Sequence, residues 1–124
     1  AALGQLSVAL AYGGCAVATD VTEVAKLRAL LARECVDVLG VVPDLLGLLA
    51  EDPARELPWV RVVFAWAERL PRAIAMRWAG HPRAVLRELL ISTEYWLAFN
   101  ADPLAPGGSV MRPVSAAVVA CVLS

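Results

Sequence analysis

The chain has 124 residues, of which 60% are hydrophobic and 19% are charged, and its formal net charge is -1. This length allows one core of modest size, and the hydrophobic fraction exceeds the ~45–50% usual in soluble domains, so part of the surface is expected to face another domain. The acidic and basic residues are spread along the chain and form no basic cluster in the sequence, so nucleic acid is not an expected partner. Glycine and polar residues interrupt the uncharged residues 1–19, so no signal peptide or membrane span is expected.

The three cysteines, Cys15, Cys35 and Cys121, are widely spaced and have no histidine nearby. This odd number fits neither a disulfide framework nor a zinc site, and we expect no metal. Free cysteine is commonly buried as a small hydrophobic residue, and we expect that state for all of them. The expected location is a reducing cytoplasm.

Hydrophobic periodicity predicts helices that alternate with short strands. A short helix is expected over Leu3 to Leu10, and a capping box of Asp20 and Glu23 is expected to start the next helix. The predicted helices cover residues 22–34, 43–50 and 71–79, and the predicted strands cover residues 14–18, 36–42, 60–65 and 84–90. Strands alternating with helices predict an α/β fold, layered, with a mostly parallel sheet flanked by helices.

The remaining segments are predicted to be loops or a final β-prone stretch. A polar loop is expected before Pro58, and the proline and glycine residues between Asn100 and Gly108 predict another. Residues from Val114 to Leu123 are β-prone. No repeat of fixed period is visible, so the chain is expected to form one unit.

Single side chains give no catalytic pattern. His81, the one histidine, stands between Gly80 and Pro82, so we expect an exposed loop residue and not a catalytic base. Lys26 is expected on an exposed helix face. The glycine pairs Gly13-Gly14 and Gly107-Gly108 are not followed by the residues of a phosphate-binding loop. The four tryptophans lack interleaved basic residues and are expected to pack in the core or at an interface.

Three segments follow one another in a recognisable order. The first consists of Leu6 to Ala18 and, after the predicted helix, Val38 to Leu46. The second runs from Val62 to Pro71. The third runs from Glu88 to Glu94, and Met111-Arg112-Pro113 follows it. In order and spacing they resemble consecutive motifs of the adenylation domains of nonribosomal peptide synthetases, members of the acyl-adenylate-forming (AMP-binding) superfamily. The second stands where that family has Gly-Gly-Glu-x-Leu, and the third where it has Asn-x-Tyr-Gly-Pro-Thr-Glu, before Gly-Arg-Pro. The resemblance implies part of the large N-terminal subdomain of an adenylation domain.

The resemblance implies a blocked adenine site. In the family the glycine turn allows the backbone to approach adenine, because a residue without Cβ leaves room for it. Here Trp66 and Ala67 precede Glu68 at that turn. We expect the indole to occupy the volume that adenine would need.

The nucleotide positions of the third motif are expected to be vestigial. In the family its threonine contacts phosphate and its glutamate holds magnesium, which binds hard carboxylate oxygens. Thr93 and Glu94 keep these two identities. Leu90 replaces the tyrosine that stacks on the base, and Ile91-Ser92 replaces the Gly-Pro turn that presents the pair.

The resemblance also assigns an apolar amino-acid pocket. Its lining would be Gly40, Val63, Ala65, Leu89, Leu97 and Ala98. A filled hydrophobic core explains the same apolar residues, and we favour that alternative. The family's phosphate loop lies upstream of these motifs, its ribose-binding aspartate and catalytic lysine lie downstream, and none of them is in residues 1–124.

Three functions follow as hypotheses. The first is a noncatalytic, truncated adenylation-like module without a cofactor, which acts as a scaffold or interaction module beside condensation or carrier domains. The second is part of a split amino-acid-activating enzyme that another polypeptide completes, and only this one requires ATP and magnesium. The third is an unrelated α/β domain that binds a small ligand. Neither nucleic acid nor a membrane is an expected partner.

Overall fold

The structure is a computed structural model that describes the backbone of residues 2–92, 96–108 and 110–113, and the side chains of residues 6, 7, 9–91, 99–108 and 110–112. The helices in these ranges are α1 (Ala2–Ala11), α2 (Val24–Arg33), α3 (Pro43–Leu49), α4 (Pro53–Glu56) and α5 (Arg72–Trp78). The strands are β1 (Val38–Val41), β2 (Val62–Ala65), β3 (Val85–Ser92), β4 (Trp96–Ala101) and β5 (Arg112–Pro113).

The strands form one sheet in the order β1-β2-β3-β4-β5. β1, β2 and β3 are parallel, with Val38 opposite Val62 and Val62 opposite Val85. β4 is antiparallel to β3, with Glu88 opposite Ala101, and β5 is antiparallel to β4 and so runs in the same direction as β1, β2 and β3. Helices connect the parallel strands because a parallel pair requires a crossover. The predicted α/β fold with a mostly parallel sheet beside helices is confirmed.

The core lies between one face of the sheet and α2, α3 and α5. The buried side chains alternate along β1 and β2, as expected for strands with one covered face. The sheet contributes Leu39, Val41, Val63, Ala65 and Leu86, and the helices contribute Leu27, Leu31, Leu46, Leu49, Ala75 and Trp78. We call this side of the sheet the helix face, and the opposite side the open face.

The sequence signals for the central helices are visible in the structure. Proline is the first residue of α3, where its missing N–H costs nothing and its fixed φ fits the helix. Leu27 and Leu31, one turn apart on α2, are both buried. Lys26 lies on the exposed side of the same helix and pairs with Glu23 at 2.7 Å, as expected for a solvated residue.

Several local predictions were wrong. Residues 14–18 form no strand, because no neighbouring strand pairs with them in the part of the sheet that the structure describes. Asp20 does not cap α2; Glu23 occupies the N-cap position, without a side-chain capping bond. Cys15 and Cys35 are exposed, not buried, because both lie in connecting segments outside the core. Cys121 lies outside the described residues.

The loop predictions also need correction. The polar segment before Pro58 contains α4, whose N-terminus is capped by the Asp52 carboxylate accepting from the Arg55 N–H. Asn100 belongs to β4 and not to a loop, because it pairs with Leu89 on one side and Arg112 on the other. The helix expected over Leu3 to Leu10 is confirmed as α1. The β-prone residues 114–123 lie outside the described residues.

Candidate functional site

The candidate site is the turn that follows β2 at the carboxyl edge of the parallel strands. In open α/β sheets, ligands bind at this edge. Ala65, the last residue of β2, is fully buried, and Trp66, the first residue of the turn, is half-buried. The N–H of Trp66 lies 3.4 Å from the carbonyl oxygen of Val41, so the turn is tied to the end of β1.

Ala67 adopts a backbone conformation that side chains disfavour. Its φ is 78°, in the left-handed region that glycine adopts without strain. A residue with a Cβ is destabilised there by ~1–2 kcal/mol. This is one of the two positions at which the motif resemblance expects glycine. The turn therefore has a glycine-type backbone conformation with alanine at this position. Glu68, the next residue, is exposed.

A buried carboxylate holds the far end of this turn. Glu88 lies on β3 with 2% of its surface exposed, and its Oε1 accepts a 2.8 Å hydrogen bond from the N–H of Leu70. A carboxylate accepting from a backbone N–H forms one of the stronger protein hydrogen bonds. Glu88 was not predicted as a site residue, although a carboxylate inside the β-prone run from Val85 to Ile91 was the available signal.

His81 is buried and not exposed, which corrects the sequence prediction. Its Nδ1 accepts from the N–H groups of Arg83 and Ala84 at 3.2 and 2.9 Å. Its Nε2 lies 3.0 Å from the carbonyl oxygen of Leu57, and since Nδ1 accepts, Nε2 carries the proton and donates. The ring also stacks on Trp78 at a centroid distance of 5.6 Å. These contacts give His81 a structural role that joins the segment after α4 to the start of β3.

The structure describes the side chains of four of the six residues assigned to the amino-acid pocket, and these four lie on two faces of the sheet. Val63 and Ala65 are fully buried on the helix face, as the filled-core alternative expects. Gly40 and Leu89 lie on the open face and are half-buried. Leu97 and Ala98 are in β4, but their side chains lie outside the described part of the chain. The shared pocket therefore stays a prediction.

Thr93 and Glu94, which the resemblance predicts as vestigial nucleotide positions, lie outside the described residues. Leu90, at the place of the stacking tyrosine, is 41% exposed on β3. Over the ranges that the structure describes, no group of three His, Cys, Asp or Glu side chains is placed to hold a metal ion. Within the same ranges, no helix has the length and apolar character of a membrane span.

Comparisons with known proteins find similarity in structure. No family model and no curated protein matches the chain. PA1221, an NRPS protein containing adenylation and PCP domains, matches 71% of this chain with a TM-score of 0.60 and 25% identity. The NpsA N-terminal subdomain from Klebsiella oxytoca, in complex with 3-hydroxyanthranilyl-AMSN, matches 77% with a TM-score of 0.59 and 14% identity. The inhibitor-bound N-terminal domain of FACL13 from Mycobacterium tuberculosis matches 61% with a TM-score of 0.52 and 20% identity.

The chain spans 19%, 25% and 20% of the lengths of those three chains, in the same order. The likeness to NpsA and FACL13 is one of fold. These matches agree with the resemblance of the sequence motifs and give no support to an unrelated α/β domain. The chain therefore has an adenylation-like fold, which corresponds to part of the N-terminal subdomain of adenylate-forming proteins.

Proposed function

We propose that this chain is a noncatalytic adenylation-like module of a nonribosomal peptide synthetase, and that residues 1–124 act as one scaffolding or interaction unit beside condensation or carrier domains. The likeness in fold to PA1221, which contains adenylation and PCP domains, supports this context. The order of the sequence motifs supports it independently.

The observation that carries the noncatalytic part of the proposal is the turn after β2. Trp66 is half-buried at the edge where the resemblance places adenine, and its N–H is tied to Val41. An indole at this edge occupies space that a flat base would need. At the other end of the turn, the bond from Leu70 to the buried Glu88 resists movement that would clear the site.

The open face of the sheet supports an interaction role. Val38, Val62 and Val85 form a row across three strands in register, and Val38 and Val85 are 50% and 44% exposed. Phe64, on the same face, is half-buried. Isolated exposed apolar residues are ordinary, but a contiguous apolar row is typical of an interface. Burial of this row against a neighbouring domain would remove it from water.

Calorimetric titration with ATP and magnesium, and then with a stable aminoacyl-adenylate analogue, tests the noncatalytic part. We expect no saturable heat from the wild type. The Trp66→Gly variant tests whether the indole is the obstacle, and Trp59→Gly, which removes a half-buried tryptophan elsewhere, is the matched control. Saturable binding of ATP by the wild type would refute the blocked site and favour the split enzyme completed by a second polypeptide.

Sedimentation of the chain mixed with the condensation and carrier domains of its own assembly line tests the interaction part. We expect a complex with one of them that is lost in Val38→Lys/Val85→Lys. The control Thr22→Lys adds a positive charge at an exposed position outside the sheet and should leave the complex intact. A complex that survives both lysines on the open face, or no complex with either domain, would contradict the proposed interface.

A further inference from the structure

A polar cluster that is separate from the turn after β2 lies on the open face of the sheet. Arg87 on β3, Asn100 on β4 and Arg112 on β5 share this face, because Asn100 is directly opposite Leu89 and Arg112. They line a cleft of about 290 Å³. Its other wall is the loop from Asp102 to Gly108.

Two guanidinium groups and one carboxylate give the cleft a net positive charge. Asp102 is oriented by its turn, since its Oδ1 accepts from the N–H of Leu104 at 2.9 Å. Its Oδ2 lies 3.6 Å from Nη1 of Arg87, which is longer than the ~2.7–2.9 Å of a close charged hydrogen bond. The carboxylate therefore neutralises the cleft only in part.

Arg87 keeps a binding edge for another anion. The same Nη1 also donates to the carbonyl oxygen of Leu86 at 2.9 Å. Both contacts use one nitrogen, so Nε and Nη2 have no partner among the residues that the structure describes. Guanidinium nitrogens bind carboxylate and phosphate oxygens in pairs, in a geometry that a lysine cannot reproduce. The side chain is 38% exposed, so the group is accessible from the cleft.

We infer that this cleft binds the carboxylate or phosphate group of a small organic anion. Arg87 and Arg112 supply the positive charge, and the amide of Asn100 between them supplies a hydrogen-bond donor. The volume suits an acid of a few heavy atoms or a phosphate ester. The inference does not rest on the proposed function, because neither the turn after β2 nor the row of Val38, Val62 and Val85 contributes a residue to the cleft.

Titration by two-dimensional NMR at constant ionic strength tests the site, with inorganic phosphate and succinate as separate probes and sodium chloride as the reference. We expect saturable shifts confined to the residues that line the cleft. Arg87→Gln and Arg112→Gln should each weaken binding about tenfold, since each removes one charge-assisted contact. A response to only one probe would identify the bound group as phosphate or carboxylate.

Two further variants separate a built site from general attraction to positive charge. Asp102→Asn keeps an oxygen for the Leu104 N–H and removes the opposing charge, so it should tighten binding by about threefold. Arg61→Gln removes a guanidinium that is 3.7 Å from Asp37, a pair much like that of Arg87 and Asp102, and should leave binding unchanged. Shifts that do not saturate, or an equal loss in Arg61→Gln, would overturn the inference.

Discussion

Replacement of Ala67 by glycine should stabilise the protein. The left-handed backbone at this residue, with a φ of 78°, costs alanine ~1–2 kcal/mol. Glycine removes that cost but gains conformational freedom in the unfolded chain, which offsets about 0.4–1 kcal/mol. The side chain is exposed, so little burial is lost. We expect a net gain of about 0.5–1 kcal/mol in the free energy of unfolding.

Urea denaturation followed by circular dichroism measures this change, and thermal unfolding should show a rise of about 2–4 °C in Tm. Ala29→Gly is the matched control, because Ala29 is exposed in the middle of α2, where glycine costs about 1 kcal/mol. The same substitution should therefore have opposite effects at the two positions. If Ala67→Gly lowers the free energy of unfolding as Ala29→Gly does, alanine is not strained in this turn, and the expected gain in stability is refuted.

Three further predictions concern buried or hydrogen-bonded side chains. His81→Ala should lower the free energy of unfolding by about 2–4 kcal/mol, because it removes a buried ring and leaves the Leu57 carbonyl unpaired. His81→Asn should recover part of this loss, since its side-chain oxygen can accept in place of Nδ1. Equal denaturation midpoints for both variants would count against the role of Nδ1. Glu88→Ala should lower the free energy of unfolding by about 2–3 kcal/mol, and Glu88→Gln should lower it less because it keeps an acceptor for the Leu70 N–H. Amide hydrogen exchange at Leu70 measures this hydrogen bond. Unchanged protection of the Leu70 amide in Glu88→Ala would contradict the stabilising role of Glu88. A hydrogen bond from the N–H of Asp52 to Oε1 lowers the pKa of Glu56 below its ordinary value of 4.5, and a hydrogen bond from the N–H of Glu51 and the charge of Arg28 add to the effect. The stability from this carboxylate is therefore present above pH 4.5 and is lost as the pH falls through the folded pKa. Denaturation from pH 6 to pH 3 should show a flatter dependence on pH in Glu56→Gln, and an identical slope would refute this assignment.

The sequence predicted the part of the fold in which local pattern and burial agree. The parallel strands are short β-prone runs, and α2 and α3 carry leucines at helical spacing. α5 carries no leucine and buries Ala75 and Trp78, which are three residues apart. No strand was predicted at the position of β4, and Asn100, which belongs to it, was assigned to a loop because it precedes a segment rich in proline and glycine. Residues 14–18 have the composition of a strand, but no neighbour pairs with them in the described sheet.

The candidate site shows the same division. The motif order placed Trp66 and Ala67 at a turn where glycine is expected, and the positive φ of Ala67 agrees with that placement. The roles of His81 and Glu88 were not predictable, because each has a backbone partner far away along the chain: the Leu57 carbonyl lies 24 residues from His81, and the Leu70 N–H lies 18 residues from Glu88. Sequence spacing carries no record of such contacts.

By itself, therefore, the sequence determined the alternation of helices and strands, the likeness to adenylation domains and the residue types at the turn after β2. The tertiary structure decided which polar groups are buried, since burial of His81 and Glu88 depends on packing of distant segments. It also decided that Arg87 and Arg112 share one face, since antiparallel pairing through β4 brings strands that are far apart in sequence side by side. The local preferences of residues determine where a helix or strand forms, whereas pairing between distant strands and helices determines which side chains come together in a site.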